Sequence, residues 1–208
     1  MSKALLAFFA VVVIASVALL SSREPANAAE PLPAEAPDGL TTAVFAGGCF
    51  WCVESDFEKL DGVKEAISGY TGGLLESPTY QRHDGHVEAV EVIYDPKVVT
   101  YRQLVDYLLR HIDPLDDGGQ FCDRGPSYRS AIFAANADEW SAAQASVAEA
   151  EKELGEEIVT PVRDRSAFWK AEDYHQDYYK THSLKYRYYR SACGRDRRVK
   201  AVWGSAEH

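Results

Sequence analysis

Basic residues are in short supply: 22 lysines and arginines stand against 32 aspartates and glutamates, a formal net charge of −10. A polyanion needs a basic patch, and only a short stretch near the C-terminus offers one, so nucleic acid is not an expected partner. Methionine is scarcer, with Met1 alone, a composition that suits exposure to oxidants. Four cysteines, Cys49, Cys52, Cys122 and Cys193, are too sparse to be the disulfide framework of a small secreted scaffold. They also lack the second C-x-x-C or H-x₃₋₅-H pair of a zinc module, so no metal is expected. There is no internal repeat. Hydrophobic residues still make up 46 % of the chain, enough for one domain with a real core.

Only one long hydrophobic run exists. Lys3 precedes Ala4 to Leu20, interrupted by Ser16, and polar Ser21 to Glu24 follows. Ala26-Asn27-Ala28 then forms an A-x-A cleavage signature. Residues 1–28 therefore read as a signal peptide cut after Ala28, and the protein as exported, periplasmic or extracellular. The rival is an uncleaved anchor, since the run is nearly long enough to span a bilayer. Cleavage would leave 20 basic and 31 acidic residues, a charge of −11. Residues 29–40, with Pro31, Pro33, Pro37 and Gly39, read as a linker. The expected domain spans 41–190, and 191–208 reads as a coil-rich tail.

The chain is organised around Phe45-Ala46-Gly47-Gly48-Cys49-Phe50-Trp51-Cys52-Val53-Glu54. An apolar strand from Thr41 runs into two glycines. Phe50, Val53, Phe57 and Leu60 then recur at helical spacing. Cys49 therefore opens a helix, where unpaired N–H groups favour an anion and should depress a thiol pKa. That marks Cys49 as a redox nucleophile. Cys52 lies one turn on and could close a disulfide with it. Alternatives are a thioredoxin-like thiol–disulfide oxidoreductase using Cys49 and Cys52, or a zinc-stabilised binding module using all four cysteines.

Further on, Val63 to Tyr70 and His86 to Tyr94 read as paired strands. Period two places Glu88 with Val90, Val92 and Tyr94, on the bulkier apolar face, where a carboxyl should resist ionising; the alternative reading puts Glu88 at the strand's wet end beside His86. Thr100 with Gln103 is a capping box ahead of a helix whose apolar face is Leu104, Val105, Leu108 and Leu109. Residues 113–127, rich in glycine and proline, read as a long functional loop. Strands are expected at Tyr128 to Ala134 and Ile158 to Val162, with a helix between them capped by Asp138 and ended by Gly155. The C-terminal tyrosines read as core and edge packing. Strands and helices intermixed imply an α/β or α+β plait, with a mixed central sheet and flanking helices.

Six ordered blocks carry a resemblance. They are Gly48-Cys49-Phe50-Trp51, Gly69-Tyr70-Thr71-Gly72-Gly73, Pro78-Thr79-Tyr80, Gly85-His86-Val87-Glu88-Ala89-Val90, Asp123 to Ser130, and Ala171-Glu172-Asp173-Tyr174-His175-Gln176. Together they resemble the class A peptide methionine sulfoxide reductases over roughly Thr41 to Tyr179. The resemblance implies reduction of the S epimer of methionine sulfoxide, free or in proteins, by a monomer with no bound cofactor and an external thioredoxin-like dithiol as reductant. It makes Cys49 the nucleophile, Glu88 the buried acid, Tyr80 and Tyr128 the phenol donors, Asp123 a supporting carboxylate, and Phe50 and Trp51 the walls around the substrate methyl. Two departures stand out. The residue after Trp51, commonly Gly in the family, is Cys52. The family's Gly-rich tail with resolving cysteines is replaced by a basic tail holding only Cys193. Cys52 and Cys193 are thus the resolving candidates, with Cys193 expected as a mobile relay and Cys122 as a bystander.

Overall fold

The computed structural model describes residues 32, 36, 37 and 39–204. The expected signal peptide and most of the expected linker lie outside the described residues. The elements are β1 (Thr41–Ala46), α1 (Phe50–Phe57), β2 (Val63–Thr71), β3 (Val87–Tyr94), α2 (Tyr101–Arg110), β4 (Gly119–Gln120), β5 (Asp123–Arg124), β6 (Ala131–Ala134), α3 (Ala137–Leu154), β7 (Val162–Asp164), β8 (Trp169–Lys170), α4 (Tyr178–Thr181), α5 (Ser183–Cys193) and α6 (Arg195–Trp203). Six strands form one mixed sheet in the order β7-β6-β1-β3-β2-β8, while β4 and β5 pair separately. Only β6 and β7 run parallel; the other pairs of the main sheet are antiparallel.

The expected mixed sheet with flanking helices is what forms, and β2 pairs with β3 as the alternation requires. One sheet face, with Phe45, Val90, Val92 and Tyr94, packs on Phe50, Val53 and Phe57 of α1 and on Leu104, Val105 and Leu108 of α2; α3 and α6 complete that core. The other face, with Val44, Ala46, Val87 and Ala89, is covered around Phe168 and Leu32. Helices on one side and extended chain on the other make a two-layer α+β arrangement. The Thr100–Gln103 capping box forms as expected, and Gly155 in the left-handed conformation ends α3. The N-cap of α3 is Asn136 rather than Asp138: the Asn136 side chain accepts from the Glu139 N–H at 2.9 Å.

Sequence and structure part company toward the C-terminus. The strand expected from Tyr128 starts at Ala131, because Pro126 to Tyr128 turn as a 3₁₀ helix. The strand expected at 158–162 is displaced to Val162–Asp164. The tail is not coil-rich: α5 runs through residue 190, where the domain was expected to end, and α6 follows after Gly194. Its face is legible in hindsight, since Tyr186, Tyr189, Arg190 and Cys193 fall at helical spacing.

A buried ionic cluster holds this helical end against α1. Arg190 Nη1 donates to Asp56 Oδ1 at 2.8 Å and to the Tyr186 hydroxyl at 3.0 Å. Arg195 Nε lies 3.6 Å from Asp56 Oδ2. Breaking a buried pair of this kind costs about 3–5 kcal/mol, because the partner's charge is left buried. Cys193 and Cys122 form a disulfide, so Cys193 is not a free thiol here, and Cys122 is no bystander. Cys49 and Cys52 are free and buried.

Candidate active site

Gly48 lets the turn before α1 close tightly. Its φ is +84°, and a Cβ there would meet Gln120 Cβ at 2.5 Å. Gln120 is itself fixed, its side-chain amide exchanging two 2.8 Å hydrogen bonds with the Asp113 backbone. Cys49 is the N-cap of α1, and its carbonyl accepts from the Cys52 and Val53 N–H groups. The next N–H, that of Phe50, donates to Glu88 Oε2 at 3.1 Å. The helix start and the central strand β3 are thereby joined at the nucleophile.

Cys49, Phe50, Trp51, Tyr80, Glu88, Asp123 and Tyr128 converge with Tyr189 on one small cavity of about 60 Å³. That volume suits a single functional group. All seven of the expected catalytic and substrate-wall residues meet there. Cys52 stands behind Cys49, in a cluster with Tyr186 that Trp51, Tyr178, Tyr179 and Tyr189 pack against. Cys193, by contrast, is tied to Cys122, beside Asp123 rather than in the cavity.

Glu88 is 1 % exposed. Burial is the largest influence on it and, with Asp123 nearby, lifts its pKa to about 8 against the pull of the Phe50 hydrogen bond. A neutral carboxyl at pH 7 accepts from Phe50 with one oxygen and still has a proton to give. Tyr128 lies within hydrogen-bonding reach of both Glu88 and Tyr80. Burial also raises Tyr80 and Tyr128, so both phenols keep their protons.

The thiols correct one expectation. The helix start does not make Cys49 acidic; burial, followed by Cys52 and Glu88 alongside, pushes its pKa well up. Cys52 is held down instead, first by a hydrogen bond from Cys49, then by the charges of Arg195 and Arg190. Desolvation outweighs the partial charge of a helix terminus because Cys49 is 5 % exposed. Of the two sulfurs, Cys52 gives up its proton more readily.

Tyr189 was not singled out as a site residue from the sequence. Its hydroxyl donates to Asp123 Oδ2 and sits within reach of the Cys49 thiol. The signal was its helical spacing with Tyr186 and Cys193, hidden by an aromatic run that reads as packing. Supporting residues orient the rest. Trp51 Nε1 donates to His175 Nδ1 at 3.1 Å and its ring stacks on Tyr178 at 3.8 Å. Burial lowers the His175 pKa to about 4, which keeps Nδ1 free to accept. Glu172 accepts from the Tyr80 N–H at 3.0 Å and the Tyr70 hydroxyl at 3.1 Å.

The four cysteines lie as two pairs, one buried and one reaching the surface, so no four-cysteine metal cage forms. Chemically the cavity offers a thiol nucleophile, a proton donor opposite it and a second thiol behind.

A family model described as peptide methionine sulfoxide reductase matches residues 41–207. The curated peptide methionine sulfoxide reductase MsrA 2 of Rhizobium meliloti (strain 1021) is 51 % identical, covering 86 % of this chain and 87 % of that one. The solved methionine sulfoxide reductase A of Corynebacterium diphtheriae superposes with a TM-score of 0.67 at 29 % identity, covering 76 % of this chain and 89 % of that one. Mxr1 from Saccharomyces cerevisiae, solved in complex with Trx2, gives a TM-score of 0.52 at 25 % identity, covering 66 % and 85 %.

Replacing Glu88 by Gln should lower single-turnover methionine formation at pH 7 by roughly 10²- to 10⁴-fold, the usual worth of a positioned general acid. The wild-type rate should fall as pH rises through about 8, where Glu88 loses its proton, so the deficit narrows above that pH. Protonation of Glu88 favours the fold below its ordinary value of 4.5, and that contribution is lost as pH rises through about 8. The variant should therefore melt above wild type at pH 9. Parallel pH–rate profiles would place the proton elsewhere.

Proposed function

Because the chain belongs to the peptide methionine sulfoxide reductase family, we propose that Cys49, Glu88, Tyr80 and Tyr128 carry the reaction and that Cys52 resolves it. The protein is an oxidoreductase that reduces methionine sulfoxide. The observation that carries the proposal is the cavity in which the Cys49 sulfur and the protonated Glu88 carboxyl meet.

The sulfoxide enters with its methyl against Phe50 and Trp51 and its oxygen toward Glu88, Tyr80 and Tyr128. Class A membership assigns the S epimer, free or within oxidised proteins. Cys49 must lose a proton to attack, and that proton replaces the one Glu88 gives to the sulfoxide oxygen, so the step balances without an outside base. The Cys49 sulfur attacks the sulfoxide sulfur while Glu88 supplies a proton to the oxygen, a poor leaving group until protonated. The oxygen ends on Cys49 as a sulfenic acid, and methionine leaves reduced by two electrons. Asp123 holds Tyr189 against the Cys49 side of the cavity.

Cys52 then displaces the sulfenic oxygen as water, giving a Cys49–Cys52 disulfide. That disulfide is buried, whereas Cys122 is exposed. When reduced, the Cys122/Cys193 pair can pass two electrons inward by thiol–disulfide exchange. An external thioredoxin-like dithiol regenerates it, in keeping with the Mxr1 complex with Trx2. No resident cofactor is required. The runner-up, a thioredoxin-like oxidoreductase, uses the same C-x-x-C but gives Glu88, Tyr80 and Tyr128 nothing to do.

Peptide mapping after one equivalent of sulfoxide, without reductant, tests these roles. Cys49→Ser should release no methionine. Cys52→Ser should release one equivalent and stop at a trappable sulfenic acid. Cys193→Ser should turn over with a small dithiol and lose turnover with a thioredoxin. Methionine formation by Cys49→Ser would overturn the assignment.

The leader supports export to the periplasm or the exterior. Mass spectrometry of protein exported by its own route should find a mature N-terminus at Ala29; an intact leader in the membrane fraction would mean an anchored enzyme.

A further inference from the structure

Among the described residues Arg195 is the largest side chain fully removed from solvent, at 2 % exposure. In the chemistry above it enters only through its charge near Cys52. Its Nη1 donates to the Gly47 carbonyl at 3.1 Å, in the turn that delivers Cys49. Its guanidinium lies 4.7 Å from the centre of the Phe121 ring. Its Nε has Asp56 Oδ2 at 3.6 Å and no hydrogen-bond partner. Arg190 brings a second guanidinium to the same carboxylate. Asp196 also binds Arg190, but its side chain is 68 % exposed and therefore screened by water. The buried carboxylate of Asp56 thus serves both the buried Arg195 and the 15 % exposed Arg190, and a second anion beside them would offset the excess charge.

Cys52 is the group placed to use it. It is 2 % exposed and sits one helical turn before Asp56. The titratable and charged groups around it are Cys49 and Asp56 on α1, Glu88 on β3, Tyr186, Tyr189 and Arg190 on α5, and Arg195 on α6. Only the two arginines carry positive charge.

We propose that Arg195, seconded by Arg190, is the positioning residue that makes Cys52 the resolving sulfur: its buried guanidinium binds the Gly47 carbonyl ahead of Cys49 and faces Asp56 one turn beyond Cys52, and so holds a positive charge against the turn that carries both sulfurs. The inference rests on Cys52 as the resolving cysteine. In the step concerned, the Cys52 thiolate attacks the sulfur of the Cys49 sulfenic acid. The new S–S bond forms as the S–O bond breaks, and the oxygen leaves as water with the proton that Cys52 gave up. The sulfenic acid is the oxidant, so no outside electron acceptor takes part. The basic C-terminal segment thereby supplies a charge to a cysteine on α1, where the family's usual tail supplies cysteines of its own.

The experiment follows resolution after one equivalent of methionine sulfoxide, without reductant, between pH 6 and 9. Dimedone trapping measures the surviving Cys49 sulfenic acid, and free methionine measures the first step. Arg195→Gln should slow resolution about threefold at pH 7 and slow methionine release by less, since a tenfold loss of thiolate returns about threefold in nucleophilicity. Its resolution profile should move to higher pH, and Arg195→Lys should restore most of the rate. Asp56→Asn, which removes the competing carboxylate and keeps the shape, should move the profile to lower pH; it serves as the independent reading if Arg195→Gln fails to fold. Wild-type profiles in both Arg195→Gln and Asp56→Asn would overturn the inference alone. A Cys52→Ser variant that still closes a Cys49 disulfide at the wild-type rate would overturn the underlying assignment, and this inference with it.

Discussion

The hydrogen bond from the Phe50 N–H to Glu88 Oε2, at 3.1 Å, is the contact on which the site depends. It joins the first turn of α1 to the middle of the sheet, so that the nucleophile and the acid share one rigid reference. It also uses a helix-terminal donor that would otherwise be left unpaired in the core. Were Glu88 ionised, that donor and the partial charge of the helix start would stabilise the anion. Burial at 1 % exposure outweighs both, and the carboxyl stays neutral. The same exclusion of water raises the Cys49 thiol, so the site begins with both partners protonated. Reactivity therefore depends on moving protons between close neighbours, not on a thiolate standing ready.

The C-terminal helices complete this arrangement. Tyr189 on α5 reaches Asp123 and Cys49, while Tyr186 packs beside Cys52. Arg190 and Arg195 bind α5 and α6 to Asp56 at the far end of α1. The Cys122–Cys193 disulfide secures the same helix to the loop that carries Asp123. One short helix is thus held at its start by the sheet and at its end by the C-terminal segment, with Cys49 capping its start and Cys52 between the two holds.

Much of this was legible from the residues. The two glycines before Cys49, the alternation of β3 and the Thr100–Gln103 box each state a local preference that the fold keeps. Period two placed Glu88 on the core face correctly, because β3 is buried on both sides and a slip would have exchanged its two faces. The acidity of the cysteines was not legible, since it turns on how deeply the helix start is buried, and spacing carries no depth. Tyr189 was missed, and Arg195 read as a neighbour of Cys193 rather than of the Cys49 turn, for a related reason. Arginines and tyrosines near a terminus ordinarily read as solvated or packing residues. It takes the tertiary fold to bring Arg195 to the Gly47 carbonyl, 148 residues away in sequence. The pairing of Cys122 with Cys193 likewise spans 71 residues and follows from where α5 docks.

The protonation state of Glu88 is the point at which the account is most exposed. A carbon-13 label on glutamate carboxyls, assigned by comparison with Glu88→Gln, allows its titration to be followed directly in the folded, substrate-free enzyme. The account predicts a carboxylic acid at pH 7 that ionises near pH 8. A Glu88 already ionised at pH 6, titrating near the ordinary value of 4.5, would contradict it.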